Sequence, residues 1–259
     1  MAKKPTWVID KERGKRAAAA ETIWLFGLHA VRDALANPNR EVLRLVVSKN
    51  AADKLSETVA ARRITPEIAD PRRFPVPLDP GSVHQGAAVE VKPLDWGDWR
   101  ALARGADGRA VVVMLDRVSD PHNVGAILRS AEVFGATAVI APARHSAPET
   151  GALAKTASGA LERMPYARIG NLGDAMEALK ADGFWMVGLA EEAAQTIDEV
   201  AKTHAEAHVA LVMGAEGPGL RERTRDLCDV LAKIPFARDF GSLNVSNAAA
   251  VALYALTRE

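Results

Sequence analysis

The chain has 259 residues, of which 48% are hydrophobic and 25% charged, so we expect a globular protein of one large or two smaller domains. Its single cysteine, Cys228, excludes an intramolecular disulfide and a metal site built from cysteines. The sequence has no apolar run of membrane-spanning length and no secretory signal pattern at its start, so we expect a cytoplasmic protein.

Charge is balanced over the whole chain but uneven along it. The 33 basic and 33 acidic side chains cancel, which argues against a nucleic-acid partner because phosphate binding is largely electrostatic. Residues 1–16, however, carry six basic and two acidic side chains, a net charge of +4. We interpret 1–20 as a flexible basic tail, which either adds phosphate contacts or is simply solvated.

Residues 21–94 have the pattern of a small α/β domain. We predict a helix over 23–36, a buried strand over 42–47, a helix over 51–63, a proline-rich loop over 71–80 and a closing strand over 87–91. Residues 95–109 are interpreted as a linker with one short helix at 96–104, because Gly105-Ala106-Asp107-Gly108 then breaks the chain.

From residue 110 to residue 259, short apolar strands alternate with helices. This alternation predicts a mainly parallel sheet covered by helices on both faces. The strands are predicted at 111–115, 138–140, 185–189, 209–213 and 230–234, and the helices at 124–134, 172–181, 221–227 and 248–256.

Ligands of open α/β sheets bind beyond the carboxyl ends of the strands, and three such ends carry unusual loops. The first loop begins after the strand at 111–115. Asp120 and Pro121 there form an N-cap and a first helical residue. Arg129 projects opposite the apolar stripe of the helix that follows, as a solvated surface residue or as a placed cation.

The second loop, residues 214–220, is rich in glycine. Gly214, Gly217 and Gly219 permit tight turns and close approach of the backbone to a ligand. The spacing differs from the dinucleotide-binding fingerprint, and Pro218 interrupts it, which disfavours a nucleotide-dependent oxidoreductase. Glu216 is either an exposed acid on a turn or a carboxylate placed for function.

The third loop leads from the strand at 230–234 into an alanine-rich helix. Capping the helix explains one or two polar residues at this junction. The sequence supplies four, which exceeds that need: Ser242, Asn244, Ser246 and Asn247.

Together the three loops resemble the motifs of the SpoU (TrmH-like) branch of the SPOUT RNA methyltransferases. The matching segments are Asn123-Val124-Gly125-Ala126-Ile127-Leu128-Arg129, then Gly214-Ala215-Glu216-Gly217-Pro218-Gly219-Leu220, then Ile234-Pro235 with Ser242-Leu243-Asn244-Val245-Ser246. The segment Phe26-Gly27-Leu28-His29-Ala30-Val31 with the strand at 42–47 looks like the ribosomal-protein-like substrate-binding domain of the same family. That second likeness points to the subgroup that modifies guanosines of 23S rRNA.

The resemblance implies a trefoil-knotted α/β domain, a homodimer, S-adenosyl-L-methionine as cofactor and methyl transfer to a ribose 2′-hydroxyl. The substrate it implies is rRNA first and tRNA second. Carried onto this sequence, it places three residues at the cofactor, namely Gly214, Ile234 and Leu243. It places five in the catalytic neighbourhood, namely Asn123, Arg129, Glu216, Ser242 and Asn244.

The chain departs from the family pattern at three positions. The family usually has methionine and glycine where this chain has Phe236 and Arg238, and a valine where it has Asn247. These departures leave open a protein that binds RNA without methylating it.

Arginine is ill suited to act as a base, because its pKa is above about 12. We therefore interpret Arg129 as a clamp for phosphate and for the developing alkoxide. No metal is expected, because the six histidines show no ligand spacing.

Overall fold

The computed structural model describes residues 22–79, 81–106, 108–237 and 242–258. The chain divides into two compact units, Met1–Leu94 and Asp95–Glu259. The predicted basic tail at 1–20 and the departure at Arg238 lie outside the described residues.

The described residues of the first unit form a four-stranded sheet and two α-helices. Strand β4 lies between β1 and β2 and runs antiparallel to both, while β3 pairs in parallel with β2 at one edge. Its elements are β1 (Ile23–Phe26), α1 (Leu28–Ala36), β2 (Val42–Val47), α2 (Lys49–Arg62), β3 (Glu67–Ile68), a 3₁₀ turn (Pro71–Arg73) and β4 (Ala87–Val91).

The prediction of one helix over 23–36 was wrong in its first part. Residues 23–26 form β1, whose Ile23 pairs with Val91 of β4, and only Leu28–Ala36 is helical. Gly27 separates the two elements with a φ of 93°, a backbone conformation that glycine adopts readily. A short apolar run with a distant strand partner cannot be distinguished from a helix by its spacing alone.

The second unit is built on a seven-stranded sheet. Its strand order is β7-β6-β5-β10-β8-β11-β9, and every neighbouring pair is parallel, which confirms the predicted α/β class. The strands are β5 (Val111–Asp116), β6 (Ala138–Pro142), β7 (Tyr166–Ile169), β8 (Phe184–Leu189), β9 (Gln195–Thr196), β10 (His208–Gly214) and β11 (Val230–Lys233). The expected trefoil knot stays a prediction.

Helices connect these strands and cover the sheet. They are α3 (Trp99–Arg104), α4 (Pro121–Val133), α5 (Gly151–Ala157), α6 (Leu172–Ala181), α7 (Ile197–Thr203), α8 (Glu222–Asp226) and α9 (Val245–Thr257), with a 3₁₀ turn at Ala160–Glu162. All residues of β5 and β6 are buried, as expected for parallel strands covered on both faces.

The segment predicted as a linker at 95–109 packs onto the second unit. Ala103 of α3 is fully buried in a core cluster with Val112 and Met114 of β5, and Trp99 and Leu102 pack against that cluster. Within the described part of the chain, none of the helices has the length and apolar character needed to cross a membrane.

Candidate active site

A cleft of about 430 Å³ lies beyond the carboxyl ends of β8, β10 and β11. This volume is within the range of roughly 300–1,000 Å³ that is typical of small-molecule sites. The cleft contains all three residues predicted for the cofactor and three of those predicted for catalysis: Gly214, Ile234, Leu243, Glu216, Ser242 and Asn244. Ser242 and Leu243 are exposed to solvent in its wall.

The glycine-rich loop folds back on the end of β10 and forms one wall of the cleft. Gly219 donates its backbone N–H to the carbonyl of Ala215 at 2.9 Å, which closes an antiparallel bridge. A Cβ atom on Gly214 would lie 2.2 Å from the carbonyl carbon of Gly219 and 2.3 Å from the nitrogen of Leu220. Because both neighbours are backbone atoms, only glycine fits at position 214 without moving the loop.

Asn244 joins the three motif loops. It is the N-cap of α9, where its Oδ1 accepts hydrogen bonds from the backbone N–H (2.9 Å) and the hydroxyl (2.5 Å) of Ser246. Its Nδ2 donates to Oδ1 of Asn123 at 2.9 Å and also to Oε1 of Glu216. One side chain thus fixes the start of α4, the glycine-rich loop and the start of α9 relative to one another.

The structure places the predicted Arg129 differently. It lies exposed on α4, outside the cleft lining, and forms no hydrogen bond or ion pair with any residue that the structure describes. Asn123, six residues earlier on the same helix, is buried with 7% of its surface exposed. Within the single chain, therefore, Asn123, Glu216 and Asn244 come together and Arg129 does not join them.

An ion pair that the sequence analysis missed supports the wall of the cleft that the glycine-rich loop forms. Asp116, the last residue of β5, has a fully buried side chain, and it accepts hydrogen bonds from the backbone N–H (3.1 Å) and Nε (2.6 Å) of Arg221. The pair ties the end of β5 to the chain just after the glycine-rich loop. An acid that ends an otherwise apolar strand was the available signal, since a buried carboxylate needs a partner.

The cleft lining also contains acids that the sequence analysis missed. Glu191 and Glu192 follow β8 and line the cleft, and Arg225 of α8 forms an ion pair with Glu192. A backbone hydrogen bond of its own residue and the Arg225 guanidinium lower the pKa of the Glu192 carboxyl. A ligand that carries positive charge fits a cleft whose lining contains, among the described residues, three carboxylates and the single guanidinium of Arg225.

The residues that the structure describes contain no group of three or more histidine, cysteine or acidic side chains that could hold a metal ion. His122 directly precedes the site residue Asn123 in the sequence. Its ring Nδ1 lies 3.1 Å from the hydroxyl oxygen of Thr156.

Family models match nearly the whole described chain. The model of the SpoU rRNA Methylase family matches residues 110–254, and the model for RNA 2′-O ribose methyltransferase substrate binding matches residues 24–96. The chain belongs to the SpoU rRNA methylase family. The resemblance inferred from the three loops is confirmed.

Curated relatives cover almost the same length. The chain is 37% identical over 242 residues to the 23S rRNA (guanosine-2′-O-)-methyltransferase RlmB of Pseudomonas putida, which covers 91% of this chain and 96% of that protein. It is 39% identical over 243 residues to the protein of the same name from Vibrio cholerae, with the same 91% and 96% coverage.

Solved structures of SpoU methyltransferases have the same fold. The SpoU methyltransferase AviRb of Streptomyces viridochromogenes aligns with a TM-score of 0.75 and 26% identity, over 95% of this chain and 91% of that one. The complex of AviRb with the cofactor AdoMet aligns with a TM-score of 0.77 and 24% identity, over 95% and 92%.

Proposed function

We propose that this protein transfers a methyl group from S-adenosylmethionine to the ribose 2′-hydroxyl of a guanosine in 23S rRNA. The relatives that carry this activity in their names are 37% and 39% identical and cover 91% of the chain. The structural observation that carries the proposal is the chain of hydrogen bonds Asn123–Asn244–Glu216, in which Asn244 and Glu216 line the cleft. It joins all three family motifs at one place, beside a cavity of cofactor size.

In this proposal Gly214, Ile234 and Leu243 hold the cofactor, mainly through backbone groups. Two features support the assignment: the cleft they line has a volume of about 430 Å³, and carboxylates of Glu191 and Glu216 lie in its walls. S-adenosylmethionine supplies an electrophilic methyl group on a positively charged sulfur when it is bound. The absence of a side chain at Gly214 lets the backbone of Gly219 and Leu220 pack directly against the end of β10, which gives this wall of the cleft its shape.

The remaining predicted residues position the RNA and the reacting oxygen. Asn244 holds Asn123 and Glu216 in fixed orientations, so their polar atoms are ordered before the substrate binds. Arg129 has no acceptor among the described residues, so its guanidinium remains available for a phosphate or for the 2′-oxygen as negative charge develops on it.

Replacement Arg129→Lys keeps the charge and removes the planar fork of the guanidinium. We expect a large loss of kcat in this variant, and turnover near wild type would show that the fork is not required.

We also propose that a second copy of the chain covers an apolar surface on α4 and α9. This surface contains Val133, Val251 and Tyr254, which are 69%, 42% and 53% exposed. Monomeric proteins rarely leave such neighbouring apolar side chains uncovered.

Val133→Asp combined with Tyr254→Asp should shift the mass measured by analytical ultracentrifugation from dimer to monomer. Val83→Asp, at an equally exposed residue (59%) of the first unit, should not. A monomeric wild-type protein would contradict this part of the proposal.

The reaction is tested with methyl-labelled S-adenosylmethionine and unmodified transcripts of 23S rRNA and of tRNA. We expect label in 23S rRNA alone. Label in tRNA alone would replace rRNA as the substrate. RNA binding without cofactor binding, measured by calorimetry, would instead favour the non-catalytic RNA-binding protein. A cytoplasmic location is part of the proposal, since the substrate is ribosomal RNA.

A further inference from the structure

Three arginines of the second unit stand apart from the rest. Arg117, Arg129 and Arg144 form no hydrogen bond or ion pair with any residue in the described part of the chain. The other described arginines of this unit each bind an acidic side chain or a backbone carbonyl: Arg100, Arg104, Arg109, Arg163, Arg168, Arg221, Arg223, Arg225 and Arg258. These three guanidinium groups are therefore the ones available to bind an external anion.

Arg117 and Arg144 lie on neighbouring loops. Strands β5 and β6 are adjacent and parallel, with Met114 in register with Ile140, so the loops that follow them leave the sheet side by side. Arg117 comes directly after β5 and Arg144 two residues after β6, and both are exposed. The loop with Arg117 leads straight into α4, which begins with the predicted site residues.

The backbone of both loops is held in an uncommon conformation. Arg117 has a φ of 62° and His145 a φ of 63°, in the left-handed region that β-carbon-bearing residues rarely occupy. Two side chains of β7 hold the backbone of the second loop in place. Arg168 donates to the carbonyl of Ala143 at 2.5 Å, and the Tyr166 hydroxyl donates to the carbonyl of Ala147 at 2.8 Å. Strained and fixed backbone of this kind commonly presents a functional side chain.

The acids of these loops do not neutralise the two arginines. Asp116 is buried and occupied by Arg221. Asp120 accepts the backbone N–H of His122 at 2.8 Å as the cap of α4. Glu149 is half-buried and interacts electrostatically with Tyr166. None of these acids forms an ion pair with Arg117 or Arg144, so both guanidinium groups remain available for a ligand with repeated negative charge.

We propose that Arg117 and Arg144 form a phosphate-binding track at the carboxyl edge of β5 and β6, which holds the RNA backbone that flanks the target ribose. This inference rests on the proposed function for its ligand, because a polyanion with phosphates at regular spacing is what an RNA substrate provides. It assigns to the methyltransferase unit its own RNA contacts, in addition to those expected of the substrate-binding unit.

The test uses the full-length protein and an unmodified 23S rRNA transcript. In the double variant Arg117→Gln/Arg144→Gln, we expect the Kd for the transcript to rise about tenfold at 0.1 M salt, since two phosphate contacts are lost. The slope of log Kd against log salt concentration should fall by about 1.4, or roughly 0.7 for each contact to a single strand. The KM for RNA should rise with kcat nearly unchanged, because such contacts bind ground state and transition state alike.

A matched control removes two positive charges from the opposite edge of the sheet. Arg104 of α3 and Lys202 of α7 are exposed, and both helices lead into the amino ends of strands, β5 and β10. Arg104→Gln/Lys202→Gln should leave the Kd for RNA and its salt dependence at wild-type values. Both double variants should bind S-adenosylmethionine as the wild type does. The Arg117/Arg144 variant should also melt as the wild type does, whereas the control should melt at most a few degrees lower, because Asp182 keeps Arg100 when it loses Arg104.

The track is refuted if the Arg117/Arg144 variant binds the transcript with wild-type affinity and salt slope, or if the control variant loses as much. These results are read from RNA affinity and so do not depend on turnover. A wild-type protein that binds the transcript through these arginines but transfers no methyl group would instead overturn the proposed function.

Discussion

Replacing Gly214 with alanine should disrupt the cofactor cleft with little effect elsewhere. The new Cβ would lie 2.2 Å from the carbonyl carbon of Gly219 and 2.5 Å from its oxygen. Ordinary carbon contacts are about 3.5–4.0 Å, so the glycine-rich loop must move by more than about 1 Å. Overpacking of this kind costs about 1–3 kcal/mol, and loss of the Ala215–Gly219 bridge adds about 0.5–1.5 kcal/mol.

These energies correspond to a fall in melting temperature of roughly 3–18 °C for a domain of this size. Because the displaced loop forms a wall of the cleft, the Kd for S-adenosylmethionine measured by calorimetry should rise at least about tenfold, which is the loss of one or two hydrogen bonds. The control is Gly170→Ala, where a Cβ meets no atom within 4 Å, so stability and affinity should stay at wild-type values. A Gly214→Ala protein with wild-type affinity and melting temperature would refute the reasoning.

Three further predictions test other parts of the structure. Asn244→Asp keeps the acceptor that caps α9 but places a carboxylate beside Glu216 in place of an amide donor. Methyl transfer should therefore fall at least about tenfold, while the melting temperature changes by only a few degrees. Unchanged turnover would contradict this prediction. Hydrogen bonding from Arg100 lowers the pKa of Asp182 from 3.8 to about 2, so its contribution to stability is complete above pH 3.8 and is lost as the pH falls towards 2. Asp182→Asn should therefore flatten the pH dependence of urea unfolding in that window; an unaltered profile would show that this carboxyl does not control it. Burial raises the pKa of the Cys228 thiol to about 12, so an alkylating reagent at pH 8 should label it only after unfolding, and stoichiometric labelling of the folded protein would count against that environment.

Elements with strong local signals were predicted well. The helix at 172–181 agrees with Leu172–Ala181 residue for residue, because its apolar spacing is regular and Asn171 caps it through the N–H of Gly173. The predicted cap at Asp120 is confirmed, since its side chain accepts the N–H of His122. Buried parallel strands such as β5 and β10 are continuous apolar runs in the sequence. They could therefore be predicted without knowing which strands they pair with.

Elements that depend on distant partners could not be predicted in the same way. Tyr166–Ile169 is an edge strand defined by its pairing with β6, and Arg168 interrupts its apolar pattern. Gln195–Thr196 is a two-residue strand that exists only through its pairing with β11. The short helix Gly151–Ala157 consists largely of small residues and packs against α4, so its burial comes from tertiary structure and not from an apolar stripe.

The same division applies to the candidate site. The motifs supplied the residue types, but nothing in the sequence indicated that Asn244 binds both Asn123, 121 residues away, and Glu216. The pair formed by Asp116 and Arg221, 105 residues apart, depends likewise on β10 lying between β5 and β8. Hydrogen bonds of this kind follow from the strand order, which local patterns do not encode.

The central claim concerns the atom that receives the methyl group. The most direct measurement is complete nucleoside digestion and mass spectrometry of 23S rRNA transcript after incubation with isotopically labelled S-adenosylmethionine and the wild-type protein. We predict that the label is recovered as 2′-O-methylguanosine, at about one per transcript, and that it is absent when the protein is omitted. Label on a base, or no label in a transcript that the protein binds together with the cofactor, would contradict the account.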